Sequence, residues 1–175
     1  YDGRPQPGPG ERTYVRMTLD TFAHIVDQAC HALLKINLYG FGEPFLFPET
    51  LEMIEYAAAH NIGMGVSSNM HFTDPAMPER IVRSGLEVLI VSCRGATPET
   101  HARFMRGGDL NRALSNIRAV IEARRRLESS WPVVDWQYCV TGFNEHEMDL
   151  ARTMASDLGV DRIRFIRPYL PENPG

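Results

Sequence analysis

Short apolar runs and amphipathic stretches alternate along nearly the whole chain, and that alternation limits the fold more than any other feature. Thr18 is placed to cap a helix in which Leu19, Phe22, Val26, Ala29 and Leu33 recur at helical spacing. A strand follows from Ile36 to Tyr39. Pro48 opens a second helix that stops near Asn61, and a strand runs from Met64 to Ser67. Asp74-Pro75 starts a third helix and Gly85 ends it. Leu86 to Ser92 has the composition of a strand buried on both faces. Thr97-Pro98 begins a short helix, and Asp109 caps a longer one with Leu110, Ala113, Leu114, Ile117, Val120 and Ile121 on one face. Val133 to Val140 reads as a strand. Asn144 and Glu147 have the spacing of a capping pair for the next helix, which Gly159 closes. Ile163 and Phe165 alternate with Arg162 and Arg164 in a last strand.

The order is one helix, four strand–helix units and a final strand, which argues for a parallel α/β sheet. A complete eight-fold barrel needs about 250 residues, and this chain has 175. A parallel sheet that opens on a helix is expected to lack its first strand, so the reading is a partial barrel. With 43% hydrophobic and 23% charged residues the chain can bury a core. The formal net charge is −4 and no basic patch calls for nucleic acid; Arg124, Arg125 and Arg126 read as the solvated end of a helix. No signal peptide and no long apolar run is present, so no membrane partner is expected and the location is read as cytoplasmic. Cys30, Cys93 and Cys139 form no CxxC pair and read as reduced thiols, at least two of them buried, with no metal site of their own. His24 and His31 lie off the apolar stripe of the first helix and should be exposed.

In parallel α/β folds the working residues lie at the carboxyl ends of the strands. Here those ends read Gly-Phe-Gly-Glu-Pro, Ser-Ser-Asn, Ser-Cys-Arg-Gly, Tyr-Cys-Val-Thr and Arg-Pro-Tyr. They are small and polar, with one acid. A carboxylate and exposed carbonyls suit an ammonium group, and hydroxyls and an amide suit a ribose or a carboxylate. The chemistry is that of a site for a zwitterionic amino-acid or nucleoside ligand.

Tyr39-Gly40-Phe41-Gly42-Glu43-Pro44 resembles the Gly-Gly-Glu-Pro motif of radical S-adenosylmethionine (SAM) enzymes, with Phe41 in place of the first glycine. Gly63 to Asn69 (GMGVSSN) is similar to that family's third-strand segment ending in Ser/Thr-Asn. Leu89 to Gly108 is similar to its fourth strand, Ser-x-x-Gly-Ala-Thr turn and Arg-containing stretch. Val133 to Glu147 resembles its fifth strand and the helix start that follows, and the likeness runs from about Met17 to Pro168. Arg94 stands where the family commonly has Asp. The family's CxxxCxxC motif, which follows its first strand, does not occur in the chain.

The resemblance implies an α/β fold, a partial (βα)6-type, TIM-barrel-like parallel barrel whose first strand and cluster loop are missing. Residues 1–16 would be a loop after the cluster segment, 17–170 the core, and 171–175 the start of a linker to a C-terminal region of the cysteine-rich SPASM type. It implies S-adenosylmethionine as cofactor, with a 4Fe–4S cluster whose ligands lie outside this chain. Reductive cleavage of the cofactor would give a 5′-deoxyadenosyl radical that takes hydrogen from a substrate, a peptide being one candidate, with an external electron donor. It assigns cofactor binding to Gly42, Glu43, Pro44, Ser68, Asn69, Ser92, Arg106 and Gln137, with Arg103 as the competitor of Arg106. Two other readings stay open, a cofactor-free isomerase or aldolase barrel and a degenerate binding module. The first wants a catalytic lysine, and the only lysine, Lys35, sits near the start of a strand.

Overall fold

The computed structural model describes residues 16–39 and 42–168. Residues 1–15 of the expected leading loop, Gly40 and Phe41 of the first strand-end motif, Tyr169 and the expected linker over 171–175 lie outside the described residues. The elements are α1 (Leu19–Ala29), β1 (Lys35–Leu38), α2 (Glu49–Ala59), β2 (Gly63–Ser68), α3 (Met77–Arg83), β3 (Val88–Val91), α4 (Pro98–Phe104), α5 (Leu110–Arg126), β4 (Val133–Cys139), α6 (Met148–Leu158) and β5 (Arg162–Ile166). Short 3₁₀ turns cover Pro44–Leu46 and Glu145–Glu147.

The five strands form one parallel sheet in chain order, β1 to β5. Local chemistry accounts for most of the helix boundaries. Thr18 accepts the Thr21 N–H, Asp109 accepts the Arg112 N–H, and Thr97 and Thr100 cap each other reciprocally at the start of α4. Gly159 ends α6 at φ 76°, a conformation that favours glycine. α3 begins later than Asp74-Pro75 suggests, because the Asp74 carboxylate accepts the Ala76 N–H and holds a turn ahead of Met77.

Side-chain alternation gives the sheet two faces. Met64, Val66, Leu89, Val91, Val134 and Trp136 are fully buried on the outer face beneath the helices. Burying a side chain of this size contributes roughly 1.5–3 kcal/mol. The Trp136 indole N–H donates to the Cys93 carbonyl at 2.9 Å, so its one polar group is satisfied. The strand registers put the other parity on the inner face. Lys35 faces Gly63, Asn37 faces Gly65, and Ser67, Ile90, Asp135 and Arg162 form one cross-strand row.

Several expectations need correction. Asn144 and Glu147 do not pair as a helix cap. The Asn144 Nδ2 donates to the carbonyls of Arg94 and Cys139, and Glu147 accepts four hydrogen bonds from β4, the β3–α4 turn and α4. Both side chains tie two strand-end loops together, which a local spacing cannot reveal. Arg124 is not solvated: it grips Asp161 and donates to the Pro132 carbonyl at 2.7 Å, locking α5 to the starts of β4 and β5. Only Cys93 is buried, since Cys30 and Cys139 are partly exposed. His24 and His31 are exposed, as their spacing predicts.

Candidate cofactor site

The carboxyl ends of β1, β2 and β3 surround a cleft of about 340 Å³. Tyr39, Gly42, Glu43, Ser67, Ser68, Asn69, Ser92, Arg94, Phe104 and Met105 line it. Of the residues singled out from the sequence, Gly42, Glu43, Ser68, Asn69 and Ser92 therefore meet in one place.

Glu43 is the centre of this arrangement. Its Oε2 accepts the Asn69 N–H at 2.7 Å, and its Oε1 accepts the Phe45 N–H at 3.4 Å. The first bond joins the loops after β1 and β2; the second caps the 3₁₀ turn that Pro44 opens. Pro44 itself accepts the Thr50 hydroxyl at its carbonyl, anchoring the turn to α2. Gly42 adopts φ 92°, which turns the chain directly before the acid.

The β2 end is a second ordered turn. The buried Ser68 hydroxyl accepts the Met70 N–H at 2.9 Å, and Asn69 Oδ1 accepts the His71 N–H at 2.9 Å. Asn116 of α5 donates to the carbonyls of Met70 and Phe72, so the turn is held from outside as well. Ser67 projects from the cleft-facing side of β2. Strand alternation from Gly63 and Gly65 was the signal for it, and it points to Ser67 rather than Ser68. Tyr39, Arg94, Phe104 and Met105 are further lining residues not assigned from the sequence.

Ser92 follows β3, and its N–H donates to the Ser68 carbonyl at 2.8 Å. Directly after it lies a buried cluster. Gly95 packs so closely against α4 that a Cβ there would lie 2.3 Å from the His101 nitrogen. This approach puts His101 Nδ1 3.4 Å from Cys93 Sγ. The His101 ring stacks on His71 at 5.6 Å between centroids. The Asp109 N–H can only donate to His71 Nε2, at 2.8 Å, so His71 Nδ1 carries the proton given to the Asn69 carbonyl. Burial, then the neighbouring His71, holds the His101 pKa below its ordinary value, against a smaller opposing pull from Asp109. Burial pushes the Cys93 thiol up to about 12. The cluster is thus a packing unit behind the cleft.

Glu147 braces the same region. It accepts the Ala96 N–H, the hydroxyls of Thr97 and Thr100, and the Tyr138 hydroxyl, at 2.7–3.1 Å. Burial works to raise its pKa, but the Thr100, Thr97, Ala96 and Tyr138 donors outweigh it and hold the carboxyl below the usual range. Tyr138 is raised in turn, chiefly by burial and by the Glu147 charge.

Pro44, Arg106 and Gln137 lie outside the cleft lining. Arg106 is exposed in the turn between α4 and α5. Its rival Arg103 places its guanidinium 4.6 Å above the Phe143 ring and is engaged there. Gln137 sits on the inner face of β4, where its register partner is Arg164. Lys35 pairs with Glu87 at 3.2 Å at the amino end of β1, the opposite end from the cleft.

The radical SAM superfamily model matches residues 3–154. Among curated proteins, the mycofactocin maturase MftC of Mycobacterium tuberculosis is 29% identical over 137 residues, covering 76% of this chain and 32% of that protein. The AdoMet-dependent heme synthase of Methanosarcina barkeri is 28% identical over 109 residues, covering 61% of this chain and 31% of that protein. The chain thus spans about a third of the length of these relatives. Among solved structures, SuiB of Streptococcus suis bound to S-adenosylmethionine superposes with a TM-score of 0.73 at 12% identity, covering 91% of this chain and 35% of SuiB. SuiB bound to its precursor peptide SuiA gives 0.72 at 12% identity over 86% of this chain and 33% of SuiB. At these identities the structures bear on the fold, and they agree with the partial barrel expected from the strand–helix alternation.

Proposed function

The chain belongs to the radical SAM superfamily, and we propose that it is the S-adenosylmethionine-binding core of an enzyme that takes hydrogen from its substrate by radical chemistry. The family uses S-adenosylmethionine with a 4Fe–4S cluster. When bound, the cofactor supplies a 5′-deoxyadenosyl radical on reductive cleavage of its sulfonium, with the electron drawn from an external donor.

The chemistry of the cleft fits the amino-acid end of this cofactor. Each carboxylate oxygen of Glu43 accepts one N–H, which leaves lone pairs for an ammonium group. Asn69 Nδ2 and the hydroxyls of Ser67 and Ser92 have no hydrogen-bond partner among the described residues, so they are available to a carboxylate or a ribose. Our reading gives Glu43 the ammonium, with Gly42 and Pro44 fixing its loop. Asn69 and Ser92 take polar oxygens of the cofactor, and Ser68 holds the β2 turn in shape. Arg106 and Gln137 are assigned to the cofactor on the resemblance alone.

The cluster is a different matter. Cys30 follows α1, Cys93 is buried behind β3, and Cys139 ends β4. No group of three metal-ligating side chains occurs among the described residues. The residues present do not fit a 4Fe–4S cluster, and we assign its ligands to a segment upstream of this chain. A cysteine-rich region downstream, a peptide substrate and a cytoplasmic location complete the proposal. The peptide is supported by the names of the maturase and of the peptide-bound SuiB. Among the described residues no helix is long and apolar enough to cross a membrane. The isomerase or aldolase reading loses its nucleophile, since Lys35 is held by Glu87 away from the cleft.

The observation that carries the proposal is Glu43 set at the parallel strand ends in a polar cleft, within a chain matched by the family across residues 3–154. The test is the full-length protein, reconstituted anaerobically with iron and sulfide and treated with dithionite and S-adenosylmethionine. Release of 5′-deoxyadenosine is expected. Its absence from protein with an intact, reducible cluster would overturn the proposal.

A further inference from the structure

The interior of a closed parallel barrel is ordinarily filled by branched apolar side chains. The inner face here is apolar only in part, as at Val88 and Ile90 of β3 and Val133 of β4. β2 contributes Gly63 and Gly65, and β4 and β5 contribute Asp135, Gln137, Arg162 and Arg164. This face is composed for a polar occupant.

Its most ordered feature is a triad on β4 and β5. Asp135 is fully buried, and its Oδ2 lies 2.6 Å from an Arg162 terminal nitrogen and 2.7 Å from one of Arg164. Arg164 Nε also donates to Asp135 Oδ1 at 2.9 Å. Burial alone would raise the Asp135 pKa, and the two guanidinium groups bring it below the usual carboxylate range. One carboxylate is thus shared by two cations, and the group keeps a net positive charge. The arginine side chains are 53% and 41% exposed, and neither meets another acid among the described residues. Most of their N–H donors have no partner among the described residues; Asp135 holds the Arg164 fork through the Nε bond and the Arg162 fork by an ion pair.

A single arginine would neutralise Asp135. The second makes the group an acceptor for another anion, already oriented and already partly desolvated. Arg162 lies in the same cross-strand row as Ser67 of the cleft, three strands away. At about 4.8 Å per strand the separation along the sheet is about 14 Å. That is the length of about four residues of extended peptide, measured backbone to backbone before the reach of the arginine side chain is subtracted.

We propose that Arg162 and Arg164, aligned by Asp135, form a clamp for a carboxylate of the substrate and hold it on the inner face with its reacting end toward the cleft. This rests on the reading of the cleft as the cofactor site. The shared chemistry is a carboxylate, which either an acidic residue of a peptide or a free organic acid can supply.

The test uses the full-length protein and three probes at low ionic strength: the peptide acetyl-Ala-Glu-Ala-amide, its Gln counterpart, and glutarate. Binding is followed by calorimetry or by ligand-observed NMR. Saturable binding of a carboxylate probe is expected, with the Gln peptide at least about ten-fold weaker. Preference for the peptide over glutarate identifies a peptide source, and the reverse a free acid. Arg162→Gln should weaken carboxylate binding about ten-fold, because Arg164 still neutralises Asp135 and the sheet stays intact. Asp135→Asn removes the competing charge at constant shape, so it should tighten the same binding several-fold, by about 3-fold or more. A purely structural triad predicts the opposite for Asp135→Asn, lower stability with no gain in affinity. Equal binding of the Glu and Gln peptides, no saturable binding, or no change in either variant would overturn the clamp. S-adenosylmethionine affinity is measured in parallel. Intact cofactor binding without carboxylate selectivity rejects the clamp alone, whereas wild-type protein that binds no cofactor rejects the reading beneath it.

Discussion

Glu43 Oε2 accepts the backbone N–H of Asn69 at 2.7 Å, so one carboxylate couples the loops that follow β1 and β2. The bond places an acid whose remaining lone pairs face a polar cleft. Charge and geometry can be separated here, because glutamine keeps an oxygen acceptor for the Asn69 N–H while losing the charge.

Glu43→Ala in the full-length protein should weaken S-adenosylmethionine binding by roughly ten- to a hundred-fold, the effect of losing a charge-assisted hydrogen bond of about 1.5–3 kcal/mol. Glu43→Gln should lose affinity as well but preserve slow hydrogen exchange at the Asn69 amide, which the alanine variant should not. Equilibrium binding with cluster content checked by absorbance decides the first point. Unchanged affinity in a folded alanine variant would remove Glu43 from the cofactor site.

Glu147 should matter for stability rather than for binding. Glu147→Ala strands the buried Ala96 N–H and removes the shared acceptor of three hydroxyls, at a cost of about 1–3 kcal/mol. Its folded pKa is lowered, so its contribution is complete above the unfolded carboxylate value, near 4.3, and is lost as pH falls through the lower folded value. Asp135 and Asp161 are lowered too and act in the same direction. Urea unfolding should therefore show stability falling below about pH 4.5, with a shallower fall for Glu147→Gln. Equal pH dependence in the two proteins would contradict the assignment.

Gly95→Ala tests the close approach of the β3–α4 turn. An added Cβ would meet the His101 nitrogen at 2.3 Å and Cα at 2.7 Å, both backbone atoms that cannot turn aside. A loss of about 1–3 kcal/mol is expected, as for other overpacked sites. Iodoacetamide gives a second reading of the same region. In the native wild type Cys30 and Cys139 should label while Cys93 stays protected, since it is buried with its thiol pushed up to about 12. In Gly95→Ala the Cys93 protection should fall. Mass spectrometry of the labelled protein shows which cysteines reacted.

Much of the fold was legible in the sequence because it is written locally. Thr18, Thr97 and Asp109 each sit beside the turn they cap, and with apolar spacing they located α1 and α5, although α1 stops at Ala29, before Leu33 of its expected stripe. The strand ends were legible for the same reason, and five of the residues picked from them meet in one cleft. What stayed hidden depends on contacts between distant segments. Glu147 reaches back about fifty residues to Thr97, and Arg124 reaches forward to Asp161. The His101–Cys93 contact exists only because Gly95 lets a helix approach a strand end. Which of Ser67 and Ser68 lies on the inner-face parity of β2 is fixed by pairing with β1 and β3.

The dispersed cysteines lead to a last expectation. A 4Fe–4S cluster of this family needs three thiolates that converge on one site. Here Cys93 lies behind the sheet against His101, and Cys139 lies on the inner-face parity of β4. Cys30 closes α1 with its thiol directed at the Asp27 carbonyl. Bringing them together would require dismantling the core around Cys93. Residues 1–175 prepared alone and reconstituted anaerobically with iron and sulfide should hold no stoichiometric 4Fe–4S cluster. Iron analysis and electron paramagnetic resonance of the reduced sample measure this. The full-length protein under the same treatment should hold one, through thiolates upstream of this chain. A stoichiometric cluster on residues 1–175 alone would contradict that placement of the ligands and the packing of Cys93 described above.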